Sequence, residues 1–198
     1  MALCFAHSAA GYLVYEAARP AGPHRFGLLA ASVLLANAPD LDFVPGLVLG
    51  HPGMFHRGPT HTIVAALAVG AAVALGAWVL RRRPLAAGAW AAAAYGSHLL
   101  VDCITVDAVP PYGLRLFWPF ADAYFLAPVT PLREIIIDGS SRTGFFASLL
   151  RPANFPVWLA DASVLVLAIL GVRLFRARHA RTVPLPAQPA RPPEACSS

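Results

Sequence analysis

The sequence predicts an all-α membrane protein, a polytopic helical bundle of about five membrane segments with a long outer loop. Three observations predict it: the scarcity of charge, the length of the apolar runs, and the placement of arginine. Of 198 residues, 13% are charged and 58% hydrophobic, and the mean hydropathy is +0.61. A soluble domain carries roughly 25% charged residues, so this chain lacks the polarity to cover a water-facing surface of its size. The same balance excludes a disordered chain. The length suits one membrane domain, expected over residues 1–181.

The segments follow in order. Ala2 to Ala18 is apolar but holds His7 and Glu16 and has no basic start, so it reads as a retained segment rather than a cleaved signal. Phe26 to Ala38 reaches only about 20 Å at 1.5 Å per residue; it either stops at Pro39 or continues past a kink there to Leu49. A bilayer-spanning helix takes about 20 apolar residues. Thr60 to Leu80 meets that length and stops at Arg81-Arg82-Arg83-Pro84. Leu85 to Val106 is a fourth run, carrying His98 and Asp102. Phe155 to Phe175 is the fifth, closed by Arg173, Arg176, Arg178 and Arg181. Residues 182–198 hold five prolines and are expected to be a disordered tail.

The chain has no lysine, so its net charge of +5 is an arginine excess. With the Arg81–Arg83 turn and the C-terminus on the cytoplasmic side, ten of fifteen arginines lie inside. The other five spread over two outer loops, Asp40–Pro59 and Asp107–Asn154, as the positive-inside rule expects. The excess therefore sets orientation, and no nucleic-acid partner is expected. Cys4, Cys103 and Cys196 form no CxxC pair and suggest neither a disulfide framework nor a thiolate metal site. Phe117, Trp118, Phe120, Tyr124 and Phe125 crowd the second outer loop like an interfacial aromatic belt. Ile135-Ile136-Ile137 reads either as a short element along the headgroups or as loop packed over helix ends.

An ionisable residue in a membrane segment is costly and is a functional candidate by default. Here such residues are His7, Asp40, Asp42, His56, His61, His98 and Asp102, and the topology brings all of them to the outer face. His98 and Asp102 are one helical turn apart and share a face. Asp40 and Asp42 flank Leu41 where Pro39 disrupts the helix. Thr60 is expected as N-cap, with His61 in the first turn and His56 reaching in from the loop. Imidazole and carboxylate donors without thiolate suit a divalent ion, zinc first, with manganese or iron as alternatives. The set exceeds one tetrahedral site and fits one ion with supporting residues, or two ions. Singly, each signal has a plainer reading: a core histidine, a helical His–Asp pair, a helix-ending turn. Ser97 beside His98 is no catalytic dyad, and there is no HExxH, GxSxG or P-loop.

His7, Pro39-Asp40-Leu41-Asp42, His56-Arg57-Gly58-Pro59-Thr60-His61-Thr62 and His98-Leu99-Leu100-Val101-Asp102 occur in one order. That order resembles the YdjM-like family of predicted membrane-bound, metal-dependent hydrolases of the bacterial inner membrane. The likeness continues through Cys103-Ile104-Thr105 and Gly113 to Pro119, covering roughly residues 1–120. Thr62 stands where serine is usual, and Val106 to Tyr112 is longer than usual. The resemblance implies that the seven His and Asp positions are the family's site and that the activity is hydrolysis.

Metal-assisted hydrolysis is therefore the expected chemistry, with Asp42 or Asp102 as base and Arg57 either clamping an anionic oxygen or anchoring to headgroups. Position at the membrane surface favours a lipid or lipid-linked substrate, with a phosphoester first. The rival classes are a structural metal site and a metal transporter.

Overall fold

The computed structural model describes residues 4–19 and 25–182, so the Pro-rich tail and His24 lie outside the described residues. Its helices are α1 (Cys4–Ala18), α2 (Phe26–Asn37), α3 (Phe43–Leu49), α4 (Ile63–Val79), α5 (Pro84–Cys103), α6 (Arg142–Leu149) and α7 (Phe155–Thr182). Short 3₁₀ turns at Ala38–Asp42, Pro52–Phe55, Pro59–His61 and Pro152–Asn154 join them. No named strand occurs among the described residues; two isolated bridges, Thr105 with Leu132 and Leu114 with Phe125, tie the outer loop together.

Pro39 does not stop the second run. The chain tightens into the 3₁₀ turn and resumes as α3, ending at Gly50, whose φ of 90° is the left-handed conformation that glycine adopts without a Cβ penalty. Phe26–Leu49 is thereby one bent apolar stretch of 24 residues, long enough to cross a membrane, as is Pro152–Arg178. α4 is apolar throughout but shorter. Its N-cap is Thr62, whose hydroxyl accepts from the Ala65 N–H at 3.0 Å, and not Thr60 as the sequence suggested. The Pro59 turn consumes Thr60 and His61 first, and this shift places His61 in the turn below the helix.

The bundle is polar within and apolar without. Leu34, Leu67, Trp78, Leu85 and Leu167 are all more than 60% exposed, whereas His7, Ser32, His98 and Asp161 are fully buried. Water would reverse that arrangement; hydrocarbon favours it. Small residues let the helices approach closely, as in membrane bundles. A Cβ on Gly88 would lie 2.8 Å from both the Ala74 Cβ and the Gly70 carbonyl, so α4 and α5 meet almost backbone to backbone. α1 packs against α2, α5 and α7. At its C-terminal end Glu16 accepts from Arg19 and Arg176, each at 2.7 Å, which locks α1 to α7.

The loop between α5 and α7 folds over one end of this bundle. Asn154, fully buried, bonds Ile136 through both its N–H and its carbonyl and also donates to the Ser148 carbonyl. Ile135 is thereby buried against Val157, so the isoleucine run is loop packed over the helix ends. Arg142 donates to the Leu47 and Val48 carbonyls at the end of α3, and Gly53 donates to the Gly139 carbonyl.

Candidate metal centre

Four parts of the fold deliver the seven residues expected from sequence. His7 comes from α1, Asp40 and Asp42 from the 3₁₀ turn after α2, His56 and His61 from the loop before α4, and His98 and Asp102 from α5. All seven are brought together. His61 Nε2 and His98 Nε2 are 3.2 Å apart, and Asp40 Oδ1 is 3.5 Å from each. Asp102 Oδ2 is 3.5 Å from His98 Nε2 and 3.7 Å from His61 Nε2. A tetrahedral ion with bonds of about 2.1 Å has donor–donor edges of about 3.4 Å. The five separations given, 3.2 to 3.7 Å, bracket that edge, so each aspartate makes with the two histidines a triad of the spacing a single ion requires.

The partners of the outer ring nitrogens fix the tautomers. His98 Nδ1 lies 2.8 Å from the Ala36 carbonyl, which can only accept, so Nδ1 carries the proton. His61 Nδ1 faces the Asp42 carboxylate at 3.1 Å and must likewise donate. In their neutral forms both Nε2 atoms then present lone pairs, and they face each other between two carboxylates. Such an arrangement is repulsive unless a proton or a metal ion sits among the four atoms. The carboxylate–histidine pairing is the usual device for orienting a metal-binding imidazole.

Asp42 is the hub of this support. It also accepts from His56 Nδ1, from the Thr60 hydroxyl and from the backbone N–H of Arg57, at 3.0 to 3.1 Å. Arg57 has φ of 59°, a left-handed backbone that a non-glycine residue seldom adopts without reason. The bond to Asp42 holds it there and sends its guanidinium to Asp107, with which it pairs. His56 stacks on Phe43 with ring centroids 4.1 Å apart, and burial pushes its imidazole below its ordinary pKa. Its Nε2 is buried without a hydrogen-bond partner.

His7 stacks on His98 with centroids 3.8 Å apart, and its Nε2 is 3.6 Å from Asp102 Oδ1. Neither of its nitrogens makes a hydrogen bond, nor does Asp40 Oδ1. Unsatisfied buried polar atoms are rare and ask for an explanation. Three overlapping donor groups result, His7–Asp40–His98, Asp40–His56–His61 and His61–His98–Asp102, each with donor atoms within 4.8 Å of one another.

Beside the centre, under the folded outer loop, lies a cleft of about 650 Å³ with His56, Arg57, Asp107 and Arg115 in its wall. Several contributors were not singled out from sequence. Tyr95 donates to the Thr60 carbonyl at 2.9 Å and steadies the turn carrying His61. Asp107 accepts from Arg57 and from the Gly113 N–H. Phe43 supplies the stacking face for His56. None stands in a motif; the only hint for Asp107 was its closeness in sequence to Asp102. His51 lies elsewhere, donating to the Ser140 carbonyl. Ser97 bonds back to the Ala94 carbonyl and serves no histidine.

A polar, largely buried His/Asp centre inside an apolar-surfaced helical bundle defines an integral membrane protein with a possible metal site. The chain belongs to the YdjM inner membrane protein family, whose model matches residues 1–180. The match runs well beyond the stretch of about 120 residues in which motifs were recognisable. Among curated proteins and solved structures there is no match.

Proposed function

We propose that this protein is a metal-dependent hydrolase of the inner membrane, acting on a lipid or lipid-linked phosphoester with one divalent ion, zinc by preference. In this reading His61, His98 and Asp40 hold the ion, the fourth position stays open to water, and Asp102 and His7 stand beside it. Asp42 and His56 form the surrounding support. The observation that carries the proposal is the facing pair of Nε2 atoms at 3.2 Å, with both Nδ1 atoms committed as donors. A divalent ion there supplies Lewis acidity, lowering the pKa of water and stabilising charge that develops on the scissile group.

The chain's own residues supply the rest. Asp42 has both oxygens engaged by donors, so of the two aspartates expected as base Asp102 is the one assigned to take the proton from water. Arg57 lines the cleft and its Nε–H is a buried donor without a hydrogen-bond partner, which suits contact with an anionic oxygen. The adjoining cleft favours catalysis over a purely structural ion, because a scaffold needs no space for a second molecule. The polar-free course of α4 weighs against transport. We further propose five membrane segments, a cytoplasmic C-terminus and a site at the outer face, the arrangement that leaves ten of fifteen arginines inside.

Metal analysis of the detergent-purified full chain tests the proposal. Wild type is expected to carry about one ion per chain, His98→Ala to lose it and Asp102→Ala to hold it more weakly. Equal metal in all three proteins would sink the centre as described. A metal-loaded protein inert toward lipid and soluble phosphoesters alike would reduce it to a structural site.

A further inference from the structure

We propose that the cleft under the outer loop binds the anionic phosphate of a membrane-lipid headgroup, with Arg115 as the residue that reads its charge. This deepens the proposed function by naming the group that selects the substrate. At about 650 Å³ the cleft is of the size that small-ligand sites have.

The reasoning starts from which charges in its wall are already used. The Asp107 carboxylate is taken by the Arg57 guanidinium and by the Gly113 N–H at 2.7 Å. Glu134 accepts from the Ala108 N–H at 2.7 Å. Of the two acids, Asp107 therefore already has its cation. Arg115 is placed differently. Its partner is Asp122, 3.4 Å away and 83% exposed, outside the cleft wall. A pair so long and so wet holds weakly. Arg115 can exchange Asp122 for a phosphate oxygen at little cost, and the resulting pair would be the better shielded one. Arg57, whose Nε–H is buried without a hydrogen-bond partner, belongs to the same wall, so the cleft is lined by two guanidinium-bearing residues.

The rim tells a lipid from a soluble phosphate. Met54, Val109 and Tyr124 edge the cleft and are 64%, 68% and 46% exposed. Phe120, in the same aromatic loop, is 86% exposed. A free phosphate gains nothing from an apolar rim, whereas glycerol and the first methylenes of an acyl chain do. A charged wall with an apolar lip is the complement of an amphiphile's headgroup.

The test uses the full chain in dodecyl maltoside after chelator treatment, titrated calorimetrically with three probes. These are dihexanoyl phosphatidic acid, dihexanoyl phosphatidylcholine and inorganic phosphate. Phosphatidic acid is expected to bind at least tenfold tighter than the zwitterionic lipid, and inorganic phosphate more weakly still. Arg115→Gln should weaken phosphatidic acid by about tenfold, the loss of one charge-assisted contact. Asp122→Asn should strengthen it severalfold by releasing Arg115, an opposite effect that misfolding cannot imitate. Absence of phosphatidic acid binding, or equal affinities in both variants and wild type, overturns the proposal. Inorganic phosphate binding as tightly as phosphatidic acid also overturns it, assigning the cleft to a soluble phosphoester. A chain that takes up no metal yet binds the lipid through Arg115 would refute only the hydrolase reading. A metal-loaded chain indifferent to Arg115 would refute only this one.

Discussion

Replacing Asp42 by asparagine removes one charge and almost no volume, so its consequences can be worked contact by contact. The carboxylate accepts from His56 Nδ1 and His61 Nδ1 at 3.1 Å, from the Thr60 hydroxyl at 3.0 Å and from the Arg57 N–H at 3.1 Å. Three of these meet Oδ2 and one meets Oδ1. An asparagine can keep its oxygen toward the group of three, but those bonds lose their charge assistance, about 1 kcal/mol each. Its amide nitrogen then opposes His56 Nδ1 donor to donor, costing about 1–3 kcal/mol more unless the ring changes tautomer. Asp42→Asn should therefore destabilise the chain by about 3–5 kcal/mol, allowing for incomplete additivity.

The metal effect is separate. With a neutral partner, His61 is less firmly held in the Nδ1–H tautomer that offers Nε2, and loss of such support typically weakens metal binding 10–100-fold. Chelator competition on purified protein measures the affinity and a thermal melt in detergent the stability. An affinity within threefold of wild type, together with an unchanged melt, would refute the hub role of Asp42.

Other substitutions probe independent parts. Gly88→Ala drives a Cβ to 2.8 Å from Ala74 and from the Gly70 carbonyl, so the melt should fall by the equivalent of about 1–3 kcal/mol while Gly76→Ala, with open space around it, should leave it unchanged. Asn154→Ala deletes three buried hydrogen bonds and should cost about 3 kcal/mol; limited proteolysis should then cut within residues 135–154 before the bundle is lost. Saturating zinc at a hundred times its dissociation constant should stabilise wild type by about 2.7 kcal/mol and His98→Ala by nothing, read as a shift in melting temperature. In a Cys4→Ser, Cys103→Ser background, labelling of Cys196 by a membrane-impermeant reagent in intact cells should fail and succeed after lysis; labelling without lysis would reverse the proposed face.

Much of this protein is legible in the chain alone. Helix against strand, and membrane against water, follow from local sums: an apolar run such as Thr60 to Leu80 with arginines at its end admits few other structures. The candidate ligands were legible for the same reason, since His98 and Asp102 in a hydrocarbon-length helix are expensive and therefore conspicuous. Pro39 was ambiguous, because a kink and a stop share one local signature and only packing against α5 and α1 selects between them. The Thr60 to Thr62 shift of the cap is similar: both hydroxyls suit the role, and the preceding proline turn decides.

What tertiary structure alone decided is the division of labour within the site. From sequence, Asp40 and Asp42 are interchangeable neighbours. In the fold the 3₁₀ turn sends one toward His61 Nε2 and His98 Nε2 and the other to the opposite edge of the His61 ring. Contacts of 3.1 to 3.5 Å between groups distant in the chain carry that distinction, and no spacing rule encodes them. Asp107 and Arg115 were silent for the same reason, their meaning lying in what faces them across a cleft. Composition and periodicity determine which residues must leave water; only the packed bundle determines which atom each then meets.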